Sequence, residues 1–415
     1  VRISSPSRRS APPAAVQALF RAHDAWLYTR AVKCIKGDEM TSLAASLARL
    51  GTLVAGIVAA IVPVLCAPLP ALAQQPVPPA GASVPILTIG PVLGRIQLFE
   101  DWAVGCDNRL SCEAVALVPD GSGQPAYSVL VTLRRGGGPA GEAVVRLLGA
   151  EELRGRIELI ADNRRLARIK AAHDMVEIAG PAALDAMRAL ASNYVFELRE
   201  GKEVVDTPSL RGLPAALRYM DEVQGRVGSA GALVATGEAP AEQARAVPPV
   251  PAVAGVAPVA DEPPLAFTAE EQAAARRLAV CDALHDSAYP LETHRLDASH
   301  ALVLLPCDAG EYNVSAVPLV ATGEAGNWRF DIARFDHMPG ASGDPDAPPL
   351  IVNARWNPLR AELSSFAKGR ALGDCGTAET YTWDGAQFRL MEARSMPVCR
   401  GAWEWPVLYS AQGGE

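Results

Sequence analysis

A charge-free apolar run, residues 50–66, decides the environment in which the rest of this chain folds. Arg49 precedes the run, and the small-x-small tripeptide Ala71-Leu72-Ala73 follows it. A positive start, an apolar centre and a small-residue exit are the three parts of a secretory signal peptide. The pattern predicts a signal peptide over residues 40–73, cleaved after Ala73, and an exported mature protein.

Two other interpretations of the apolar run are open. An uncleaved membrane anchor needs about 20 apolar residues, and Pro63 interrupts a run that is near the lower length limit. A lipoprotein would carry its lipid on Cys66, but that processing needs a small residue before the cysteine, where Leu65 stands. The cleaved signal peptide is preferred, and no integral membrane segment is expected after cleavage.

Residues 1–39 precede the signal pattern, which itself begins at Met40. The codons for Lys36-Gly37-Asp38 can hold a purine-rich ribosome-binding sequence just before Met40. We interpret residues 1–39 as an upstream extension outside the translated protein. Val1 would then correspond to a GTG start codon written as the valine that GTG normally encodes. The alternative is a genuine cytoplasmic extension ahead of the signal peptide.

The cysteines after residue 73 form an even set in a chain predicted to be exported. Disulfides persist in oxidising compartments, so this set predicts disulfide bonds rather than free thiols. The sequence alone does not choose among the many pairings, but spacing favours three local pairs. These are Cys106 with Cys112, Cys281 with Cys307, and Cys375 with Cys399.

Composition narrows the classes of partner and cofactor. The whole sequence contains 38 basic and 46 acidic residues, a formal net charge of −8 at pH 7. A negative chain is repelled by nucleic acid and by anionic membrane surfaces. No C-x-x-C motif and no Cys-His cluster with metal-ligand spacing occurs, so no metal and no cofactor is expected.

Two stretches rich in proline divide the predicted mature chain. Residues 74–85 form a leader, and residues 237–264 contain little besides Ala, Pro, Val, Gly and acidic residues. Such a composition packs no core and favours an extended chain. It predicts a linker between two domains, residues 86–236 and residues 265–412, that share no core.

The first predicted domain, residues 86–236, combines short strands with two helices. β-Branched segments predict strands at 127–135, 142–149 and 156–162, and a strand–turn–strand pair at 194–210. Pro181 marks the start of one helix, and an apolar stripe from Leu213 to Val223, followed by Gly225, marks the second.

The second predicted domain, residues 265–412, opens with a helix and continues as a β-meander. Thr268 and Glu271 have the spacing of a capping box at the helix start. Residues 300–307 predict a buried strand, and residues 381–390 predict a hairpin with a type I′ turn at Asp384-Gly385. The aromatic residues here are expected to be core or cross-strand partners rather than a sugar-binding platform: Trp383, Phe388, Trp403 and Trp405.

Four segments resemble two known families. Residues 99–117, FEDWAVGCDNRLSCEAVAL, and residues 194–217 resemble invasion-associated locus B proteins, although a central cysteine pair of that family is missing. Residues 217–237 and 369–409 resemble signatures of the bacterial family called domain of unknown function 1176. The resemblance implies export to the bacterial envelope and disulfides, but it implies no reaction.

Candidate recognition residues combine aromatic and charged side chains near two of the predicted disulfides. They are Trp102, Asp107, Arg109, Trp403 and Trp405. Asp101 and Asp107, which flank Trp102 and Cys106, could form a recognition rim. Turn capping by Asp107-Asn108 is the alternative that composition favours.

No motif of a known catalytic site occurs in the sequence, including G-x-S-x-G, the P-loop, G-x-G-x-x-G and H-E-x-x-H. The three histidines His285, His294 and His300, near Asp286 and Asp297, are spaced for no helical face, so surface histidines are favoured over a metal or acid–base site. Asp374-Cys375 could hold a thiol nucleophile, but the even cysteine count favours a disulfide.

The sequence therefore predicts an α+β protein with two β-rich, disulfide-tied domains and a few helices, located in the periplasm or secreted. We expect it to be non-catalytic and to bind an envelope or host protein. Two alternatives stay open. One is an envelope hydrolase with a carboxylate site that no motif reveals; the other is a structural component of the envelope.

Overall fold

The computed structural model describes residues 90–153, 155–257, 259, 265–279, 289–340, 342 and 347–414. The predicted upstream extension, signal peptide and leader lie outside the described residues, as do Cys281, His285 and Asp286. Among the described residues, no helix is long and apolar enough to cross a membrane.

In the described part of the chain, residues 96–206 build two antiparallel sheets. Sheet A has the strand order β1-β2-β3-β4-β5-β8, and sheet B has the order β10-β9-β6-β7. The strands are β1 Ile96–Phe99, β2 Trp102–Cys106, β3 Cys112–Ala116, β4 Val129–Arg135, β5 Ala143–Gly149, β6 Arg156–Ala161, β7 Arg164–Lys170, β8 Met175–Ala179, β9 Phe196–Glu200 and β10 Glu203–Asp206. The strands expected at 127–135, 142–149, 156–162 and 194–210 are confirmed.

Two helices cover one face of sheet A. Helix α1, Gly180–Ala191, has proline in its first turn, and helix α2, Leu213–Gln224, ends at Gly225 with a left-handed φ of 67°. Glycine adopts that conformation without steric cost, which explains the C-terminal stop. The predicted stripe of α2 is buried in one core with the inner faces of sheets A and B.

The remaining chain, in its described residues, adds helix α3 (Ala269–Ala279) and two further sheets. Sheet C has the order β12-β13-β14-β15, with β16 also paired to β14, and sheet D has the order β17-β18-β19-β20-β21. The strands are β12 Glu292–Arg295, β13 His300–Ala309, β14 Val314–Thr322, β15 Arg329–Ile332, β16 Ile351–Val352, β17 Arg355–Asn357, β18 Glu362–Lys368, β19 Gly376–Trp383, β20 Phe388–Met396 and β21 Val407–Ser410.

Local predictions for this half are confirmed at two places. Thr268 and Glu271 form the expected capping box: the Thr268 N–H donates to Glu271 Oε2 (2.8 Å), and the Glu271 N–H donates to Thr268 Oγ1 (3.2 Å). Strand β13 is buried from Ala301 to Pro306 because Leu302 and Leu304 face sheet D while Ala301 and Val303 face α3. Burial on both faces explains its unbroken apolar run.

Sheet D lies between sheets A and C. One face of sheet D, with Leu363, Tyr381 and Phe388, packs against Leu302 and Leu304 of sheet C. On the opposite side, Met396 of β20 and Trp405, from the loop between β20 and β21, form a core with Ala103, Val115 and Leu130 of sheet A. Residues of both predicted domains therefore share a core, which differs from the expectation, and Leu87–Glu415 forms one compact unit.

The proline-rich segment also differs from the expected free linker over residues 237–264. The Arg245 N–H donates to the Gln224 carbonyl (2.9 Å), and the Val256 N–H donates to the Trp383 carbonyl (2.8 Å). Between them, strand β11 (Ala252–Val253) pairs in parallel with strand β22 (Gln412–Gly413). The segment is held by backbone hydrogen bonds. Nothing in the sequence indicated this contact, because the prediction considered only apolar side chains, and backbone hydrogen bonds do not depend on them. Residues 258 and 260–264 lie outside the described residues.

The hairpin expected over residues 381–390 is present, but its turn is displaced by one residue. Trp383 pairs with Phe388, and the Asp384 N–H donates to the Gln387 carbonyl (3.0 Å), so Gly385 and Ala386 are the central residues. Of the residues in this turn, only Gly385 has a positive φ, 96°. The predicted type I′ turn, which needs positive φ at both central residues, is therefore wrong; the Gln387 N–H donates instead to Asp384 Oδ1 (2.8 Å).

Two predicted disulfides are confirmed within the described residues, Cys106–Cys112 and Cys375–Cys399. Cys307 is disulfide-bonded as well, and its predicted partner Cys281 lies outside the described residues. The disulfide of Cys375 removes the thiolate that a nucleophile needs. The neighbouring Asp374 carboxylate accepts hydrogen bonds from Arg370 Nε (2.7 Å) and the Gly401 N–H (2.7 Å).

Candidate binding site

The aromatic candidates for recognition belong to the core. Trp102 is fully buried, and its indole Nε1–H donates to the Ser209 carbonyl (2.9 Å). Trp405 is also buried and donates to the Ala402 carbonyl (2.9 Å), while Trp403 packs partly buried against the same core. Trp102 is enclosed by the core of sheets A and B, and Trp405 by the core between sheets A and D, so neither presents the exposed recognition surface that was expected.

Asp107 and Arg109 lie in the tight loop that the Cys106–Cys112 disulfide closes. Asp107 Oδ1 accepts hydrogen bonds from the backbone N–H groups of Arg109 (2.8 Å) and Ser111 (2.8 Å). Asp107 therefore caps its turn, as an aspartate at such a position commonly does. The same residue also lines a cleft, which places one of the five recognition candidates at a candidate binding site.

This charged cleft has a volume of about 300 Å³ and lies where sheet A meets sheet D. Asn108 fixes its rim: the Asn108 Nδ2–H donates to the Ser410 carbonyl (3.0 Å), and the Ser410 N–H donates to Asn108 Oδ1 (2.9 Å). Three carboxylates and three guanidinium groups line the cleft. The complete lining is Asp107, Ser111, Glu113, Arg134, Arg146, Glu392, Arg394, Val407 and Ser410.

Strand register brings the charged side chains of sheet A together. Glu113 on β3 is directly opposite Arg134 on β4, and Arg146 on β5 lies opposite Thr132 on β4. Residues opposite one another in an antiparallel pair share a face. Glu392 and Arg394, two residues apart on β20, close the cleft from sheet D.

Burial shifts the pKa of two carboxyl groups in the cleft. Removal from water raises the pKa of Glu113, although a hydrogen bond with the Thr132 side chain and the charges of nearby arginines oppose this. Removal from water likewise raises the pKa of Asp107, against the two backbone hydrogen bonds that it accepts. Both groups therefore hold their negative charge at a cost that an added cation would offset.

The arginines of the cleft differ in whether a carboxylate of the protein already pairs with them. Arg394 Nε lies 2.7 Å from Glu392 Oε1, and Arg146 Nη2 lies 3.1 Å from Glu177 Oε2. Arg134 is exposed and forms no ion pair with any residue that the structure describes. Its guanidinium group can therefore donate to an added anion, and it lies on the strand position directly opposite Glu113.

Five of the six charged cleft residues were not predicted from the sequence: Glu113, Arg134, Arg146, Glu392 and Arg394. A signal for them was present in the strands. Glu113 interrupts the apolar strand CEAVA, and Arg146 interrupts the apolar strand AVVRLLG. A charged residue within an otherwise apolar strand indicates a polar site. The sequence could not show that β20, about 250 residues later, closes the same cleft.

The other titratable candidates lie elsewhere. His294 is on β12, stacked against Trp356 with a centroid distance of 6.1 Å, and His300 is at the start of β13. Asp374, Cys375 and Cys399 bring potential ligand atoms within 4.8 Å of one another. Because both cysteines are in a disulfide, that group lacks the thiolates that a metal would need.

The fold and the cleft define a β-rich, disulfide-bonded protein with a charged cleft between two sheets. The chain belongs to the family described as "Protein of unknown function (DUF1176)", whose family model matches residues 96–412. This confirms the family resemblance seen in the sequence.

A similar relative is the "Uncharacterized protein YpfG" of Escherichia coli (strain K12), 29% identical over 333 residues, which are 75% of this chain and 92% of the relative. A solved structure, invasion associated protein b from Bartonella henselae, matches 32% of this chain and 99% of its own chain. The sequence identity is 16% and the TM-score is 0.24.

Proposed function

We propose that this protein is exported to the bacterial envelope, in the periplasm or outside the cell, and acts there by binding rather than catalysis. The proposed partner is an envelope or host protein, or a peptide derived from one. This partner presents one cationic and one anionic group to the charged cleft. The two disulfides of the described chain support export, because such bonds persist in oxidising compartments.

Arg134 carries this proposal: it forms no ion pair within the described part of the chain, and it lies opposite Glu113, a carboxyl whose pKa is raised by burial. A ligand carboxylate can accept two parallel hydrogen bonds from the Arg134 guanidinium. A ligand ammonium group can approach the carboxylates of Glu113 and Asp107, which offsets the cost of holding their charges away from water. Peptides with free termini, and neighbouring Lys and Glu side chains, supply both groups.

Calorimetric titration of the mature protein tests the proposal with trialanine as the probe. Trialanine capped by N-acetyl and C-amide groups is the matched ligand without charges. We expect the free peptide to bind and the capped peptide to show no heat of binding. Arg134→Gln removes one charge-assisted bidentate contact and should weaken binding by about tenfold.

Arg164→Gln is the matched control, because Arg164 is an exposed arginine on strand β7 of sheet B. This variant should bind trialanine as the unaltered protein does. Equal binding of free and capped trialanine, or equal loss of affinity in both variants, would show that the cleft does not recognise charge. Cell fractionation with the two disulfides mapped by mass spectrometry tests export separately.

A second candidate function is an envelope hydrolase, and one observation favours it. Asp107 and Glu113 line one cleft, and burial raises the pKa of each carboxyl, a shift that suits the general acid of a glycosidase. Binding is preferred because Asp107 already caps its own loop. Release of reducing ends from purified peptidoglycan, abolished by Glu113→Gln, would favour the hydrolase instead.

A further inference from the structure

A hydrogen-bonded group of three side chains lies at one end of sheet C, outside the charged cleft. His300 Nδ1 lies 2.8 Å from Asp297 Oδ2, and the Trp383 indole Nε1–H donates to the same oxygen (3.0 Å). Asp297 Oδ1 accepts from the backbone N–H groups of Ser299 (2.9 Å) and His300 (2.9 Å). Trp383 comes from sheet D, 86 residues further along the chain.

These contacts fix the tautomer of His300. Indole and backbone N–H groups are donors only, so Asp297 acts as the acceptor of the whole group. Burial disfavours its charge, but the hydrogen bonds from Ser299, Trp383 and His300 hold the pKa of Asp297 below its usual range. With an ionised carboxylate at Nδ1, the proton of the neutral imidazole is on Nδ1, and Nε2 is an acceptor.

His300 also lines a cavity of about 480 Å³ between sheet C and the β19–β20 hairpin. Its side chain is 27% exposed, and its Nδ1 is the ring nitrogen engaged by Asp297. Thr322 lies directly opposite His300 in the strand register, and Asp331 lies opposite Val320 on the same face. Arg334 lines the cavity too, held by one hydrogen bond from Nη2 to the Ala386 carbonyl (3.2 Å).

The chemistry of the lining selects the kind of group that fits. Two acceptors, His300 Nε2 and the Asp331 carboxylate, require hydrogen-bond donors from a ligand. Arg334 offers N–H donors beside them, and the Thr322 hydroxyl can donate or accept. Trp383 is only 2% exposed, so its ring face is not open for stacking and the tryptophan serves as a fixed wall.

We propose that this cavity, between His300, Asp331 and Arg334, is a second binding site, which takes a polyhydroxylated ligand such as a sugar or a cyclic polyol. Hydroxyl groups donate to His300 Nε2 and to Asp331, and a ligand oxygen accepts from Arg334. A free phosphate fits less well, because its oxygens are mainly hydrogen-bond acceptors and so cannot pair with His300 Nε2 or the Asp331 carboxylate, which are acceptors themselves. The site is independent of the peptide-binding cleft proposed above.

The first test reads the tautomer directly. Long-range ¹H–¹⁵N NMR of the mature protein, labelled at histidine, should show His300 protonated on Nδ1 with an unprotonated Nε2 at pH 8. The Nε2 resonance should shift when N-acetylglucosamine, glucose or myo-inositol is added. A protonated Nε2, or a shift with inorganic phosphate and with none of the three polyols, would overturn the proposal.

The second test uses matched variants. Asp331→Asn and His300→Phe each remove one acceptor and should weaken binding of the best of the three probes by about tenfold, measured by titration of the protein resonances. Asp308→Asn is the control, because Asp308 is an exposed strand aspartate on the same β13. Unchanged affinity in Asp331→Asn would contradict the site even if His300→Phe fails to fold.

Discussion

Arg400 donates through Nη2 to the carboxylate of Asp101, at 2.5 Å and across 299 residues of chain. The same guanidinium group donates from Nε to the Val118 carbonyl (2.8 Å) and from Nη1 to the Glu100 carbonyl (2.7 Å). Asp101 is 3% exposed and also accepts from the Ser209 hydroxyl (2.7 Å). One arginine near the C-terminus thereby joins sheet A to the loop between β20 and β21 of sheet D.

Arg400→Ala should destabilise the protein by about 3 kcal/mol, because it removes the cation beside the buried Asp101 carboxylate and the donor to two backbone carbonyls. Arg211→Ala is the control: Arg211 pairs with Glu100 at 2.8 Å, but both side chains are more than half exposed. An exposed pair contributes about 0–1 kcal/mol. Urea unfolding of both variants measures the difference, and equal midpoints would contradict the role assigned to Arg400.

Gly385→Val should destabilise the hairpin between β19 and β20 by about 1–3 kcal/mol, since a β-branched residue is strained at a φ of 96°. Ala386→Val, at the neighbouring turn position, has no positive φ to accommodate and should have a smaller effect. Asp384→Asn should be nearly neutral, because Asn can also accept the two backbone hydrogen bonds that Asp384 Oδ1 accepts from Ala386 and Gln387. Thermal melts rank the three; a Gly385→Val melt like that of the unaltered protein would contradict the turn.

Local signals in the sequence predicted much of the fold. The Thr268–Glu271 capping box, the stop at Gly225 and the two disulfides that the structure describes each depend on residues close in sequence, and each is present. The turn at Gly385 was misplaced by one residue because Asp-Gly and Gly-Ala can both occupy the centre of a two-residue turn.

Long-range contacts account for what the sequence did not predict. Trp383 was expected in the core, but its hydrogen bond to Asp297 depends on how sheet D packs on sheet C. Glu113 and Arg394 meet in one cleft only because sheets A and D share a core. The segment around Val256 docks through backbone hydrogen bonds, which side-chain patterns do not encode.

The mature protein, denatured without reductant, should react with no thiol reagent. Cys106, Cys112, Cys375 and Cys399 are in two disulfides, and Cys307 is disulfide-bonded as well. Reaction after reduction provides the control for reagent access. Two reactive thiols per chain before reduction would contradict the disulfide framework that an exported protein is expected to have.

Glu379→Gln should stabilise the folded protein at neutral pH and leave its stability unchanged near pH 4. Glu379 is 5% exposed on β19, and its Oε1 accepts from the Gly340 N–H (3.1 Å). The side chains of Thr377 and Ser365 also lie beside the carboxyl, but they offset its burial only in part. Burial raises the pKa of this carboxyl above its usual value of 4.5. The folded state therefore binds a proton that the unfolded chain releases above that pH, and stability falls as the pH rises toward the folded-state pKa.

Glutamine cannot ionise, so the variant should lose this pH dependence, and the gap in unfolding free energy between the two proteins should widen from pH 4 to pH 7. Glu311→Gln is the matched control, because Glu311 is an exposed glutamate in the turn between β13 and β14. Urea unfolding at a series of pH values measures all three proteins. A Glu379→Gln variant that is less stable than the unaltered protein at pH 7 would contradict this prediction. It would mean that the hydrogen bonds of the buried carboxylate stabilise the fold by more than its removal from water costs.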